Sequence, residues 1–287
     1  MLALVLAALA GLFWRPLAEL ARFAWGNDLY SYILLVPLVS AYLAWTAHAD
    51  WGAESAPARR WAIVPLALAG ALLGLCWRAM GRGWTPETSD RLAIFTAAFL
   101  LLVAAAVFLF VGIRALQSIR FPLGFLVFAI PLPSGSREAV EHFLQRGSAD
   151  VANGFFAVSL MPFWREGLVF HLSDISIHVA PECSGIHSSV VLLITSVLAA
   201  HLFLRGFWRK AALVCAVLPL ALLRNGFRIW VIGELCAHIG PQMINSYIHR
   251  KGGPIFFVLS LIPFFLLLQW LRRSRGGPGT QTKAEAS

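Results

Sequence analysis

A cysteine, an arginine and a histidine stand at corresponding ends of three apolar segments in the last part of the sequence. Cys183 directly precedes the apolar run 184–204, Arg228 lies towards the far end of the run 211–236, and His249 comes shortly before the run 254–271. Amide donors and the dipole at a helix start favour the thiolate of a cysteine. With a cation and an imidazole that carries protons near neutral pH, such a thiolate is equipped for nucleophilic catalysis. The alternative for Cys183 is a small buried apolar residue.

Arg224 lies one helical turn before Arg228, on the same face of the predicted helix. An arginine near the bilayer centre costs at least about 2.5–3.5 kcal/mol, which makes both residues candidates for a functional site. The alternative is that their side chains snorkel towards lipid headgroups. His187, one turn after Cys183, is a rival to His249 as the general base. Other histidines are expected in loops or interfaces: His171, His178 and His238.

The composition is that of an integral membrane protein. Of the 287 residues, 59% are apolar and 13% are charged, against roughly 25% charged residues in an average soluble domain. The net charge of +9 comes mainly from short loops beside apolar runs, a pattern typical of membrane topology rather than of nucleic-acid binding. The four cysteines lack metal-ligand spacing. We therefore expect no metal, no organic cofactor and no nucleic-acid partner.

The apolar runs predict an all-α fold of about eight transmembrane helices, since a span takes roughly 20 residues. Two shorter runs, Leu2–Phe13 and Phe121–Leu132, are counted as spans together with six longer ones: 29–47, 61–79, 92–113, 184–204, 211–236 and 254–271. One set of loops holds 11 Lys and Arg in 42 residues, whereas the opposite set holds 9 in 95. This asymmetry predicts that both termini are cytoplasmic.

That orientation places the loop 133–183 outside the membrane. A helix is predicted near Ser136–Leu160 and is expected to lie on the membrane surface. Its apolar residues fall roughly at helical spacing: Val140, Phe143, Leu144, Val151, Phe155 and Phe156. Alternation in 168–172 and 175–179 about Ser173-Asp174 predicts a small β-hairpin leading to Cys183. Residues 1–273 are expected to form one membrane domain and 274–287 a disordered cytoplasmic tail.

The chain resembles the exosortase/archaeosortase family of multi-pass membrane cysteine transpeptidases. The resemblance rests on motifs in order along nearly the whole chain: Tyr30-Ser31-Tyr32, Leu35-Val36-Pro37, Ile130-Pro131-Leu132-Pro133, Pro181-Glu182-Cys183-Ser184-Gly185-Ile186, Asn225-Gly226-Phe227-Arg228-Ile229, and His249 with Gly252-Gly253 and Phe256-Phe257. It implies that Cys183 is the nucleophile and that Arg228 and His249 complete the catalytic set, with Arg250 as a neighbour that could take the third position. A histidine there is typical of the bacterial type.

The resemblance also implies a substrate and a location. The family cleaves C-terminal sorting signals of the PEP-CTERM kind, which consist of a short motif, a membrane helix and a basic tail, and is thought to transfer the cut protein to a surface acceptor. The active site would face the periplasmic or extracellular side of a bacterial inner membrane. Residues beside the catalytic set are candidates for substrate binding: Glu182, Ser184, His187, Arg224 and Asn225.

Two other interpretations remain open at this point. A non-catalytic transporter or a lipid- or anion-binding protein could use Arg224 and Arg228 to hold an anionic group. Alternatively, Cys183 could form a structural disulfide with Cys236, because the predicted topology puts both on the outer side.

Overall fold

The computed structural model of the chain describes residues 1–47, 59–111, 113–172, 175–180, 184–240, 242–243 and 252–273. Within these ranges the protein is almost entirely helical. The α-helices are α1 Leu2–Leu12, α2 Trp14–Gly26, α3 Val36–Thr46, α4 Arg59–Gly81, α5 Thr88–Phe110, α6 Ile113–Phe125, α7 Ser134–Val158, α8 Ile186–Phe203, α9 Phe207–Cys215, α10 Val217–His238 and α11 Gly253–Arg273. Two 3₁₀ helices, Asp28–Leu34 and Leu126–Ala129, precede α3 and α7.

Six helical segments of the described chain are long and apolar enough to cross a membrane. They are Asp28–Thr46, Arg59–Gly81, Thr88–Phe110, Ile186–Phe203, Phe207–His238 and Gly253–Arg273. Two bent pairs raise the number to as many as eight if each pair is one span: Leu2–Leu12 with Trp14–Gly26, bent by 70°, and Gln117–Ala129 with Ser134–Val158, bent by 88°. The predicted all-α membrane fold is thereby confirmed.

Two helices extend into segments that we predicted to be loops. Residues 14–28, which lie between the first two predicted spans, instead form α2 as far as Gly26. Pro16 is tolerated in this helix because it stands in the first turn, where no backbone N–H is needed. The predicted single run 211–236 begins earlier, at Phe207, and is interrupted at Ala216 between α9 and α10. Pro219 explains the interruption, since it has no N–H to donate to the carbonyl of Cys215.

The chain divides into two compact units, Met1–Glu138 and Ala139–Ser287. In the first unit, hydrogen bonds hold the turn that leads into α7. The hydroxyl of the buried Tyr30 donates to the carbonyl of Leu132 at 3.1 Å. Asp90 accepts from the backbone N–H of Ser134 at 2.7 Å and from its hydroxyl at 2.8 Å. Two of the sequence motifs, around Tyr30 and around Leu132, thus meet inside this unit.

In the second unit, a small antiparallel sheet packs on α7 and α10. Its strands are β1 Phe163–Glu166, β2 Val169–Leu172 and β3 Ser176–His178, in the order β1-β2-β3. The predicted hairpin corresponds to β2 and β3, with Phe170 opposite Ile177, and β1 is an additional strand. A buried cluster joins sheet and helices: Ala149, Ala152, Phe156, Phe170, Leu172, Ile177, Val179 and Ile229.

The predicted helix at Ser136–Leu160 is present as α7, but its buried face follows the apolar pattern only in part, with Leu144 and Phe156 buried. Phe143 is 55% exposed, whereas the polar residues Gln145 and Ser148 are buried. Helix α10 approaches this face closely at Gly226, where an added Cβ would lie 2.5 Å from the Cγ1 of Val151. Gly233, two turns later, packs in the same way against the ring of Phe156. The absence of side chains at these glycines allows α7 and α10 to cross closely.

Candidate active site

Three of the predicted site residues, Glu182, Cys183 and His249, lie outside the described residues, as does Arg250. The other predicted site residues are described: Ser184, His187, Arg224, Asn225 and Arg228. The residues on both sides of 181–183 are also described.

The segment after Cys183 turns sharply into α8. Gly185 is the N-cap of this helix and has φ +71°, a left-handed conformation that favours glycine. An added Cβ at Gly185 would lie 2.9 Å from Nη2 of Arg224 and 3.2 Å from Oδ1 of Asn225. Ser184, 1% exposed, accepts a long 3.4 Å hydrogen bond from the backbone N–H of Ile186. A glycine is therefore needed at 185 both for the turn and for the approach of α10.

Arg224 is buried against this turn. Its side chain is 8% exposed, and its Nη2 donates to the carbonyl of Gly185 at 3.3 Å and to the hydroxyl of Ser189 at 3.4 Å. The arginine thus packs inside the protein against the start of α8. Because the helix start is itself electropositive, a guanidinium beside it creates a site that favours an anion.

The carbonyl oxygen of Gly185 has more hydrogen-bond donors around it than it has lone pairs to accept hydrogen bonds. It receives the backbone N–H of Ser189 at 3.0 Å, the hydroxyls of Ser188 at 3.1 Å and Ser189 at 2.8 Å, and Arg224 at 3.3 Å. A carbonyl oxygen has two lone pairs. Donors at this turn are therefore available for a second oxygen, and two of them are hydroxyls that can rotate towards it.

Two hydrogen bonds from α7 fix the polypeptide on either side of residues 181–183. Gln145, 2% exposed, donates from Nε2 to the carbonyl of Val179, the residue after β3. Ser148, fully buried, accepts from Nδ2 of Asn225 at 3.0 Å, and Asn225 lies against Gly185. The same face of α7 thus holds Val179 directly and also holds Asn225, the α10 residue that lies against Gly185.

Arg228 lies one turn beyond Arg224 and faces the strand that leads to Cys183. With Asn225 and His178 it lines a cavity of about 20 Å³, completed by the apolar residues Ile177, Val179, Ile229 and Ile232. A cavity of this size has room for about one water molecule. The structure therefore places Arg224 at the Gly185 turn after Cys183, and Asn225 and Arg228 beside Val179, which precedes the Cys183 segment.

Several polar residues at this site were not selected by the sequence reasoning. Gln145, Ser148 and Ser189 carry no recognisable motif, although the spacing of Gln145 and Ser148 puts them on one helix face. His178, which we expected in a loop or at an interface, lies in β3 and lines the cavity with Arg228. His187 is exposed on the first turn of α8.

Cys236 is a free thiol and is only 1% exposed. It lies near the end of α10, two residues before His238. Cys183, the other partner in the disulfide alternative, lies outside the described residues.

Comparison with known protein families gives one match. The family described as transmembrane exosortase matches residues 25–266, which is most of the chain and includes every candidate site residue. No curated protein and no solved structure matches the chain. The match includes helices α8 and α10, which form the buried arginine site. The chain belongs to the transmembrane exosortase family and is accordingly a multi-pass membrane protein of a peptidase and transpeptidase class.

Proposed function

We propose that the protein is a cysteine transpeptidase that cleaves C-terminal sorting signals of exported proteins at the outer leaflet of a bacterial inner membrane. Its substrates end in a short motif of the PEP-CTERM kind, an apolar helix and a basic tail, and a surface acceptor receives the cut protein. The observation that carries this proposal is the donor-rich turn at Gly185, two residues after Cys183, which holds the buried Arg224.

In the proposed reaction, the thiolate of Cys183 attacks the carbonyl carbon of the scissile peptide bond. A carbon–sulfur bond forms, and the carbonyl oxygen becomes an oxyanion. Arg228 stabilises the thiolate and then the oxyanion, while donors at the Gly185 turn supply further hydrogen bonds. The carbon–nitrogen bond breaks as protonated His249 gives its proton to the leaving amine. A thioester on Cys183 remains.

An acceptor amine, an acceptor hydroxyl or water then attacks the thioester. His249 takes the proton from this nucleophile, the carbon–sulfur bond breaks, and the thiolate of Cys183 is restored. The helix start at α8 favours the anion in both steps, since its unpaired N–H groups and dipole point towards the residues that precede it.

The test uses cells that contain the full-length protein and an exported reporter ending in a short motif, an apolar helix of about 20 residues and an arginine cluster. Cys183→Ala should reduce cleavage of the reporter by at least about a thousandfold, because no other group replaces the nucleophile. Cys215→Ala is the matched control, since Cys215 is a free cysteine at the exposed end of α9. Normal cleavage by Cys183→Ala would rule out the mechanism.

The transporter or anion-binding interpretation predicts that Arg228 is required and Cys183 is not. In that case Arg228→Ala would abolish retention of an anionic ligand, whereas Cys183→Ala would change nothing. Family membership favours the peptidase. Measuring reporter cleavage for both variants separates the two functions, because only the peptidase requires Cys183.

A further inference from the structure

An apolar cleft runs beside Arg224 between α10 and α11. It has a volume of about 400 Å³ and includes Leu223 and Phe227 on α10 and Leu259 and Pro263 on α11. The lining positions repeat every three or four residues over two turns of each helix, so the cleft is about 10 Å long. Leu223 and Leu259 are each 49% exposed, which leaves the cleft accessible from outside the protein.

Two polar groups matter in this largely apolar cleft, which also includes Ser260. Nη1 of Arg224 is buried and has no hydrogen-bond partner among the residues that the structure describes. Pro263 stands inside α11 and has no N–H, so the carbonyl of Leu259, four residues earlier, lacks its helical donor. The cleft therefore combines a charged donor with a backbone acceptor, and in an apolar environment an unpaired polar group is costly.

A polypeptide matches this combination better than a lipid does. The peptide groups at the start of a transmembrane helix and just before it are not paired within the helix, so they supply both an acceptor for Arg224 and a donor for the carbonyl of Leu259. An acyl chain with an ester offers acceptors only. The same guanidinium that lines the cleft also donates through Nη2 to Gly185. The cleft is therefore continuous, through one side chain, with the turn that follows Cys183.

We propose that this cleft binds the membrane-embedded segment of the peptide substrate, with Arg224 donating to a carbonyl oxygen where that segment approaches Cys183. The inference rests on the proposed function, because it assumes that a membrane-anchored peptide is the substrate. It adds a location, since it assigns the face formed by α10 and α11 as the docking surface for the apolar part of the sorting signal.

Photo-crosslinking tests the location. The photoreactive amino acid p-benzoyl-phenylalanine is placed at 259 in the full-length Cys183→Ala variant, and the reporter with the apolar helix and arginine tail is co-expressed. Val258 is the matched control, since it is 61% exposed on the same helix but does not line the cleft. We expect the reporter to crosslink at 259 about tenfold more than at 258, a margin that corresponds to about 1.4 kcal/mol of local preference. Crosslinking to lipid alone at 259, or equal reporter crosslinking at both positions, would overturn the proposal.

Filling the cleft tests its use. Leu223→Trp should reduce reporter cleavage by about ten- to a hundredfold, as expected from overpacking a binding surface. Leu218→Trp is the control, because Leu218 is 44% exposed on α10 and lies outside the cleft. It should leave cleavage within about threefold of wild type, as surface substitutions usually do. Normal cleavage by Leu223→Trp would contradict the proposal.

The two proposals fail in different ways. If Cys183→Ala blocks cleavage while Leu223→Trp does not, the cysteine mechanism stands and the cleft assignment is wrong. If Cys183→Ala retains cleavage, the proposed mechanism is wrong, and the comparison of 259 with 258 still reports on the cleft by itself. Where Leu223→Trp lowers the amount of protein in the membrane, the crosslinking comparison decides the question.

Discussion

Substitution of Gly185 by alanine tests the geometry of the turn that follows Cys183. The left-handed φ of +71° at this position costs alanine about 1–2 kcal/mol. The new methyl group would also lie 2.9 Å from Nη2 of Arg224. That nitrogen is the far end of a flexible side chain and can move away, but it then loses its contacts with Gly185 and Ser189. Hydrogen bonds from charged groups contribute about 1.5–3 kcal/mol, and since these are long, we take about 1.5 kcal/mol.

Gly167→Ala is the matched control. Gly167 also has a left-handed φ, of +59°, but no atom lies within 4 Å of an added Cβ. The difference between the two variants therefore isolates the contact with Arg224. Both proteins would be unfolded thermally in the same detergent, and Gly185→Ala should melt about 3–6 °C below Gly167→Ala, given about 2–4 °C per kcal/mol for a protein of this size.

Repeating the comparison of Gly185→Ala with Gly167→Ala in an Arg224→Met protein tests whether Arg224 causes the difference. With Arg224→Met present in both proteins, the difference between Gly185→Ala and Gly167→Ala should shrink, because the contact that the methyl group displaces is already gone. Equal melting temperatures for the two alanine variants in the wild-type background would refute the reasoning. So would a difference that persists unchanged without Arg224.

Two further predictions concern the face of α7 that holds the Cys183 segment. Gln145→Leu should slow reporter cleavage about tenfold or more, since it leaves the carbonyl of Val179 without its buried donor. Loss of that hydrogen bond costs about 1–3 kcal/mol. The exposed Gln269→Leu is the control, and Gln145→Glu, which keeps an oxygen but loses the amide donor, should not restore the rate. Gly226→Ala should destabilise the protein in thermal unfolding by about 1–3 kcal/mol through overpacking, because the methyl group would lie 2.5 Å from Val151 and 3.0 Å from the backbone of Ser148. Gly154→Ala, which meets no atom within 4 Å, should be neutral or stabilising, and equal behaviour of the two glycine variants would contradict the close crossing of α7 and α10.

The sequence alone determined the features that depend on local pattern. Hydropathy predicted the membrane helices, and alternation predicted the hairpin formed by β2 and β3. The spacing of Arg224 and Arg228 put them on one face of α10, because helical periodicity is a local property. Pro16 and Pro219 mark helix boundaries that hydropathy alone did not locate, since a proline can end one helix or stand in the first turn of another, and only the surrounding chain decides which.

The tertiary structure alone decided which side of α7 is buried. In water, large apolar side chains mark the buried face, and by that rule Phe143 would be inside. In a membrane protein, lipid accepts large apolar side chains, so helices meet through small residues and polar side chains instead. Helix α10 accordingly packs against α7 at Gly226 and Gly233, and the polar Gln145 and Ser148 turn inward. Gln145 meets Val179 across 34 residues of chain, and a pairing over that distance has no local pattern from which it could be read.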